Sequence, residues 1–159
     1  MEIPRTIKIS KCRLCSHKKF LKIYSFGNLF VSNFVSKKDI YNGVKAPLDL
    51  VYCKKCKLLQ LRHSAPQEIM YKQFYWYRSG ITSTMKNALK DIFLTVKKMS
   101  ILDKNDTILD IGANDGTLLG YFKKEKYITI GCEPAKNLTK FLKKNCKYVL
   151  NSFWNSKDL

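Results

Sequence analysis

The sequence is short of arginine, acid, histidine and long apolar runs, and each shortage narrows what the chain can be. No stretch approaches the roughly 18 consecutive apolar residues of a membrane-spanning helix, and the opening MEIPRTIKIS lacks the apolar core and cleavage pattern of a secretory signal. The expectation is a soluble, cytoplasmic protein with no membrane partner. Acidic residues number 12 against 30 Lys and Arg, which leaves a formal charge of +18. Such a charge serves nucleic-acid binding when it is concentrated on one face. Here the lysine pairs fall at 18–19, 37–38, 54–55, 97–98, 123–124 and 143–144, and only four arginines accompany 26 lysines. Arginine is the residue that grips phosphate and guanine edges bidentately. A lysine-rich composition is therefore the stronger reading, and a basic zinc ribbon acting on nucleic acid is the alternative.

What is present suffices for one compact domain or two small ones: 159 residues, 45% of them hydrophobic. Three zones follow one another. Residues 1–65 carry strand-like runs, FLKIYSF, NLFVSNFV and PLDLVYC, separated by polar stretches. Residues 66–104 read as a helical connector. Its first part is APQEIMYKQFY, and from Ile81 onward Met85, Ala88, Leu89, Ile92, Phe93, Val96 and Met99 recur at three- and four-residue steps, which predicts a buried stripe. Residues 105–159 alternate strand and helix: TILDIG, NDGTLLGYFKKE, YITIGCEP, AKNLTKFLKKN, KYVLN. That order is the pattern of a parallel sheet with crossover helices.

Four of the six cysteines form two C-x-x-C pairs, Cys12 with Cys15 and Cys53 with Cys56, separated by the 37 residues Ser16 to Tyr52. Each pair makes a tight knuckle presenting two thiolates to one side, and two knuckles complete a tetrahedral sulfur shell for Zn²⁺. A four-sulfur site is closed, so the metal is expected to be structural. The 37-residue gap is long for a zinc motif, and a three-stranded insertion would fill it. A thioredoxin-like redox pair is the competing reading, but neither pair opens a helix in a βαβ setting. His17 is read as a knuckle residue beside the metal rather than a ligand.

In TILDIGANDGTLLGYF the strand ends near Asp110, Gly112 and Gly116 free the backbone for a sharp turn, and a helix follows. A nucleoside ligand fits at such a carboxyl edge. The full G-x-G-x-x-G is absent, and two acids beside the glycines would repel a pyrophosphate. S-adenosylmethionine, cationic at sulfur and nitrogen, suits them better, with Asp110 and Asp115 toward its amino-acid end. Glu133 ends the next strand, 23 residues after Asp110, where a carboxylate can accept from both ribose hydroxyls.

The runs CKKCKLLQLRHSAPQEIMY, YWYRSGITSTMKNAL, ILDIGANDGTLL and GCEPA, in that order, resemble the sugar C-methyltransferase-like family. Its members are S-adenosylmethionine enzymes typified by methylation of nucleotide-linked 4-keto-deoxysugars. The resemblance implies an α+β zinc-binding module followed by the first half of an α/β Rossmann-like methyltransferase domain, with an incomplete parallel sheet. It implies Cys12, Cys15, Cys53 and Cys56 as zinc ligands and Asp110, Gly112, Asn114, Asp115, Gly116 and Glu133 as the cofactor motif. It adds Tyr75, Tyr77, Arg78 and Ser79 as contacts near cofactor and sugar, against plain packing of FYWY. Ala88 and Thr82 stand where relatives often carry His and Asn, which weakens the substrate side of the resemblance.

The resemblance covers less than half of a typical member. Carbon methylation beside a ketone needs a base for the α-proton, an enolate stabiliser and an aligned methyl donor. The chain has two histidines, His17 and His63, both within the metal module by position. The expectation is a chain without turnover of its own, and a separately encoded C-terminal half, a homo-oligomer that covers the exposed sheet edge, or an unstable product of a broken gene each fits the pattern.

Overall fold

The computed structural model describes residues 6–31, 36–72 and 75–157. The chain divides into two compact units, Met1–Met70 and Tyr71–Leu159.

In the first unit, β2 (Phe20–Phe30), β3 (Lys45–Cys53) and β4 (Leu59–Leu61) form an antiparallel sheet in that order, and β1 (Ile7–Lys8) pairs with β5 (His63–Ser64). FLKIYSF and the start of NLFVSNFV, expected as two strands, are one. Register shifts fall between Lys22 and Tyr24 and between Ser25 and Asn28, and Gly27 takes φ +78° in the second. A bulge thus absorbs the extra residues that a turn would otherwise need, and the strand continues. Residues 32–35 of the second run lie outside the described residues. Of the helix expected over 65–75, the structure forms a π-helical turn at Glu68–Lys72.

The second unit opens on α1 (Ser83–Lys98), capped by Thr82, whose hydroxyl accepts from the Met85 N–H. Then β6 (Thr107–Ile111), α2 (Thr117–Lys124), β7 (Ile128–Cys132), α3 (Thr139–Asn145) and β8 (Tyr148–Leu150) alternate as the sequence pattern predicts. The three strands are parallel in the order β6-β7-β8. Leu119, Leu138 and Leu142 are fully buried, and Ala113 and Cys146 join Leu119 and Leu142 in a cluster against Ile108 and Val149. Cys132 and Cys146 pack in this core as small buried thiols.

The stripe on α1 is covered along half its width. Phe93 is buried and packs edge-on to Phe122 at 5.0 Å between centroids, with Met85, Leu89 and Val96 half-buried on the same side. Ile81, Ala88, Ile92 and Met99 stay exposed. The eight apolar positions span a wider arc than one neighbouring helix covers, and α2 takes the edge centred on Phe93.

Candidate zinc centre and cofactor cavity

The two knuckles are built alike. The Ser16 N–H donates to the Cys12 carbonyl and the Lys57 N–H to the Cys53 carbonyl, both at 3.0 Å, and Ser16 and Lys57 adopt φ +57° and +67°. The left-handed residue after each second cysteine turns the chain away and leaves both sulfurs on one side. Cys12 Sγ lies 3.6 Å from Cys56 Sγ, Cys15 Sγ lies 3.6 Å from Cys53 Sγ, and all four sulfurs fall within 4.8 Å of one another. A tetrahedral zinc with bonds of about 2.3 Å has sulfur–sulfur edges of about 3.8 Å. The donor set fits zinc.

Cys12 and Cys56 depart from the ordinary thiol value in opposite directions. Burial raises Cys12, but the backbone N–H groups of Cys15 and Leu14 and the Gln60 amide, 3.1 Å away, outweigh it and bring the thiol down to about 6. The Leu58 N–H lowers Cys56, yet burial and the neighbouring sulfurs push it up to about 12. Four sulfurs this close do not all ionise unless a cation stands among them. His17 is not part of the cluster, and His63 instead faces Asp49 at 3.6 Å.

In the second unit a cavity of about 430 Å³ opens at the carboxyl ends of the parallel strands. Ile111 at the end of β6, with Gly112 and Asn114 of the loop after it, lines one side, and Cys132 at the end of β7, with Glu133 and Pro134 of the loop after it, lines another. The Cys132 carbonyl accepts from both Gly112 N–H (2.8 Å) and Ala113 N–H (3.0 Å), tying the glycine turn to β7. Gly112 has φ +77° and open space where a Cβ would stand. Glu133 is 6% exposed, and its two carboxylate oxygens accept from the Asn114 N–H (2.9 Å) and the Ala135 N–H (2.8 Å). Each oxygen keeps a lone pair for a hydroxyl.

Asn114 and Asp115 of the motif also hold a neighbouring segment. Asn114 accepts from Ser79 N–H (3.0 Å) and donates to the Tyr77 carbonyl (3.1 Å). Asp115 accepts from Gly80 N–H (2.8 Å) and from the Thr117 hydroxyl and N–H, with Arg78 Nε 3.6 Å away. Asn137 clamps Tyr75 through both its N–H and carbonyl, each at 3.0 Å. Tyr75 to Gly80 is thus a strap pinned by side chains of the loops after β6 and β7, and it places Tyr75, Tyr77 and Ser79 on the cavity. Asp115 is 4% exposed and does not line the cavity. Arg78 also stays off it, its guanidinium 4.2 Å from the Phe141 ring centroid.

Gly116, with φ +75°, sits under α3, where a Cβ would come 2.8 Å from Leu142 Cδ1. Asp110 is the penultimate residue of β6, and burial together with the Glu133 charge pushes its carboxyl above the usual range. Phe153 and Trp154, which pattern reading overlooked, line the cavity from the loop after β8. The available signal was their position at the carboxyl end of a third parallel strand, the same end that carries Gly112 and Glu133.

Residues 12–71 match the model of the protein family Methyltransf_13, described as "Putative zinc binding domain". Over 132 residues the chain is 30% identical to the C-methyltransferase NovU of Streptomyces niveus, a match covering 82% of this chain and 31% of that protein. The chain spans about a third of that relative's length and corresponds to its N-terminal part. No described helix is long and apolar enough to cross a membrane. Residues 12–71 thus carry a methyltransferase-type zinc-binding domain, and the chain is homologous to the N-terminal part of a C-methyltransferase.

Proposed function

We propose that the chain supplies the structural zinc module and one side of the S-adenosylmethionine pocket of a C-methyltransferase acting on nucleotide-linked keto-deoxysugars. In this reading the second unit is the first half of a Rossmann-like cofactor domain. The observation that carries it is the cavity at the carboxyl ends of β6 and β7, with an open Gly112 on one wall and Glu133 on the other. Glu133 accepts from the ribose hydroxyls and the Gly112 backbone leaves room for the amino-acid end. Phe153 and Trp154 offer apolar faces to the base. The cofactor, when bound, supplies an electrophilic methyl group. Tyr75, Tyr77 and Ser79, on the pinned strap, shield that side of the cavity from water.

Among the described residues lining the cavity there is no histidine, and both histidines of the chain belong to the zinc unit. A phenol in general holds its proton at neutral pH and makes a poor base. In this reading the α-proton is removed by a base other than the described residues that line this cavity.

Calorimetric titration of the zinc-loaded protein with S-adenosylmethionine tests this. Saturable binding that Glu133→Ala weakens, in a variant whose tryptophan fluorescence reports a folded second unit, supports the reading. A folded protein with zinc on four sulfurs and no affinity for the cofactor refutes it.

A further inference from the structure

The second unit carries a feature that neither the zinc site nor the cofactor cavity uses. A hollow of about 470 Å³ is lined by residues of α1, α2 and α3. Four exposed lysines stand around it: Lys86 of α1, Lys123 and Lys124 in the last turn of α2, and Lys144 in the last turn of α3. No acid lines it among the described residues. Lys86, Lys124 and Lys144 form no ion pair within 4 Å with a described residue. The helix dipole accounts for cations at the ends of α2 and α3, but Lys86 lies near the N-terminal end of α1, where a cation is disfavoured. Gathered ammonium groups repel one another, and an entering polyanion relieves that repulsion.

The walls are held in place. The Tyr121 hydroxyl donates to the Lys86 carbonyl at 3.2 Å and ties α2 to α1, and the Asn145 amide donates to the Asp115 carbonyl at 2.8 Å and ties α3 to the glycine turn. Lys123 is the fixed cation: its ammonium donates to the Lys144 carbonyl at 2.9 Å and the Cys146 carbonyl at 3.4 Å. Two carbonyls position that charge without neutralising it, and an ammonium has a third N–H to give. Gly120 lines the hollow from within α2, where glycine weakens a helix relative to alanine. Packing does not require it, since a Cβ there would stand 3.4 Å from Asn145 Oδ1, an ordinary contact. Its missing side chain leaves room for a visiting group.

Single exposed ion pairs contribute little, so binding here needs several anions carried on one molecule. Arginine, which grips phosphate bidentately, is absent from the lining. One face of the Tyr121 ring is stacked on Phe93, with centroids 5.8 Å apart, which removes a platform that a nucleic-acid base would use. A second copy of the chain offers no run of carboxylates, because no two of its 12 acids are adjacent in sequence.

We propose that this hollow docks an acidic segment of a different protein, a run of Asp or Glu side chains that reach Lys86, Lys124 and Lys144 around the fixed Lys123. The proposal stands whether or not the second unit binds S-adenosylmethionine, because the hollow and the cofactor cavity share no lining residue.

The test is calorimetry on the full zinc-loaded chain, without cofactor, at about 0.15 M salt, where long-range attraction is screened. The probes are a hexaglutamate peptide, a hexaglutamine peptide and a single-stranded RNA of matching charge. Hexaglutamate should bind saturably and hexaglutamine should not. Lys86→Glu, Lys124→Glu and Lys144→Glu together should weaken hexaglutamate binding by at least about tenfold, since three attractive pairs become repulsive. Lys18→Glu, Lys22→Glu and Lys54→Glu change the net charge equally, in the first unit, and should leave binding unchanged. Gly120→Gln keeps every charge but fills the hollow, and it should also lower the affinity. Should charge reversal unfold the second unit, Lys86→Gln, Lys124→Gln and Lys144→Gln repeat the test with neutral groups. No saturable hexaglutamate binding, equal losses in the hollow and first-unit variants, undiminished binding by Gly120→Gln, or tighter binding of RNA than of hexaglutamate would overturn the proposal.

Discussion

Replacing Gly116 by alanine should destabilise the second unit more than replacing Gly112, although the two share a backbone conformation, φ +75° and +77°. An L-residue in the left-handed region costs about 1–2 kcal/mol at either position. At Gly112 nothing lies within 4 Å of the added carbon, so that cost stands alone. At Gly116 the methyl would meet Leu142 Cδ1 at 2.8 Å and Asn145 Cβ at 2.9 Å. The leucine tip can swing, but the Asn145 Cβ moves only with α3, which adds an overpacking cost of about 1–3 kcal/mol. Gly116→Ala should therefore lose about 2–5 kcal/mol and Gly112→Ala about 1–2 kcal/mol. Denaturant unfolding followed by tryptophan fluorescence reads this unit alone, since Trp76 and Trp154 are the two tryptophans and both lie in it. Gly112→Ala should instead lower cofactor affinity in fully folded protein, because its methyl enters the cavity. Equal stability losses in the two variants would refute the idea that the approach of α3 is what requires Gly116.

Asp110→Asn should gain stability relative to the parent as pH rises. The Asp110 pKa is raised in the fold by burial and by Glu133, so the native state holds its proton longer than the unfolded chain, and its contribution to stability is lost from the ordinary carboxylate value upward. Unfolding curves at acid and neutral pH check this, and a pH-independent difference between the two proteins would count against it. Asn137→Ala removes both hydrogen bonds to Tyr75 and should cost about 1–3 kcal/mol of local stability. Limited proteolysis should then cut faster within Tyr75–Ser79, whereas an unchanged rate would mean that Asn114 and Asp115 hold the strap alone. Metal removal by a chelator, or Cys53→Ser at a fully buried sulfur, should abolish the strand signal of the first unit in circular dichroism, since small metal modules draw much of their folding free energy from the ion. A first unit that keeps its strands without metal would show that its apolar packing suffices.

The features legible in the sequence are those carried by short-range pattern. A C-x-x-C pair is a local turn, so two of them announce four convergent sulfurs before any fold is known. The β6-α2-β7-α3-β8 alternation is likewise written in local periodicity, and all five elements form where the pattern puts them. The α1 stripe shows where this stops working. Its helix is local, but how much of its apolar arc is covered depends on which neighbours pack against it, and Ile92 and Met99 remain exposed. The second strand-like run was misread for a related reason: Gly27 supports a turn or a bulge equally well, and pairing with β3 decides between them.

By itself, then, the sequence determined the metal-binding set, the order of the parallel elements and the glycine turn beside Glu133, because each depends on residues close together along the chain. The tertiary structure alone decided how the polar groups are spent. Asn114 lines the cavity and, with Asp115, also holds the strap, since the Ser79 and Gly80 N–H groups some 35 positions away need acceptors when partly buried. Phe153 and Trp154 reach the cavity through the same long-range closure. Pairings of that kind leave no period or spacing along the chain for pattern reading to find.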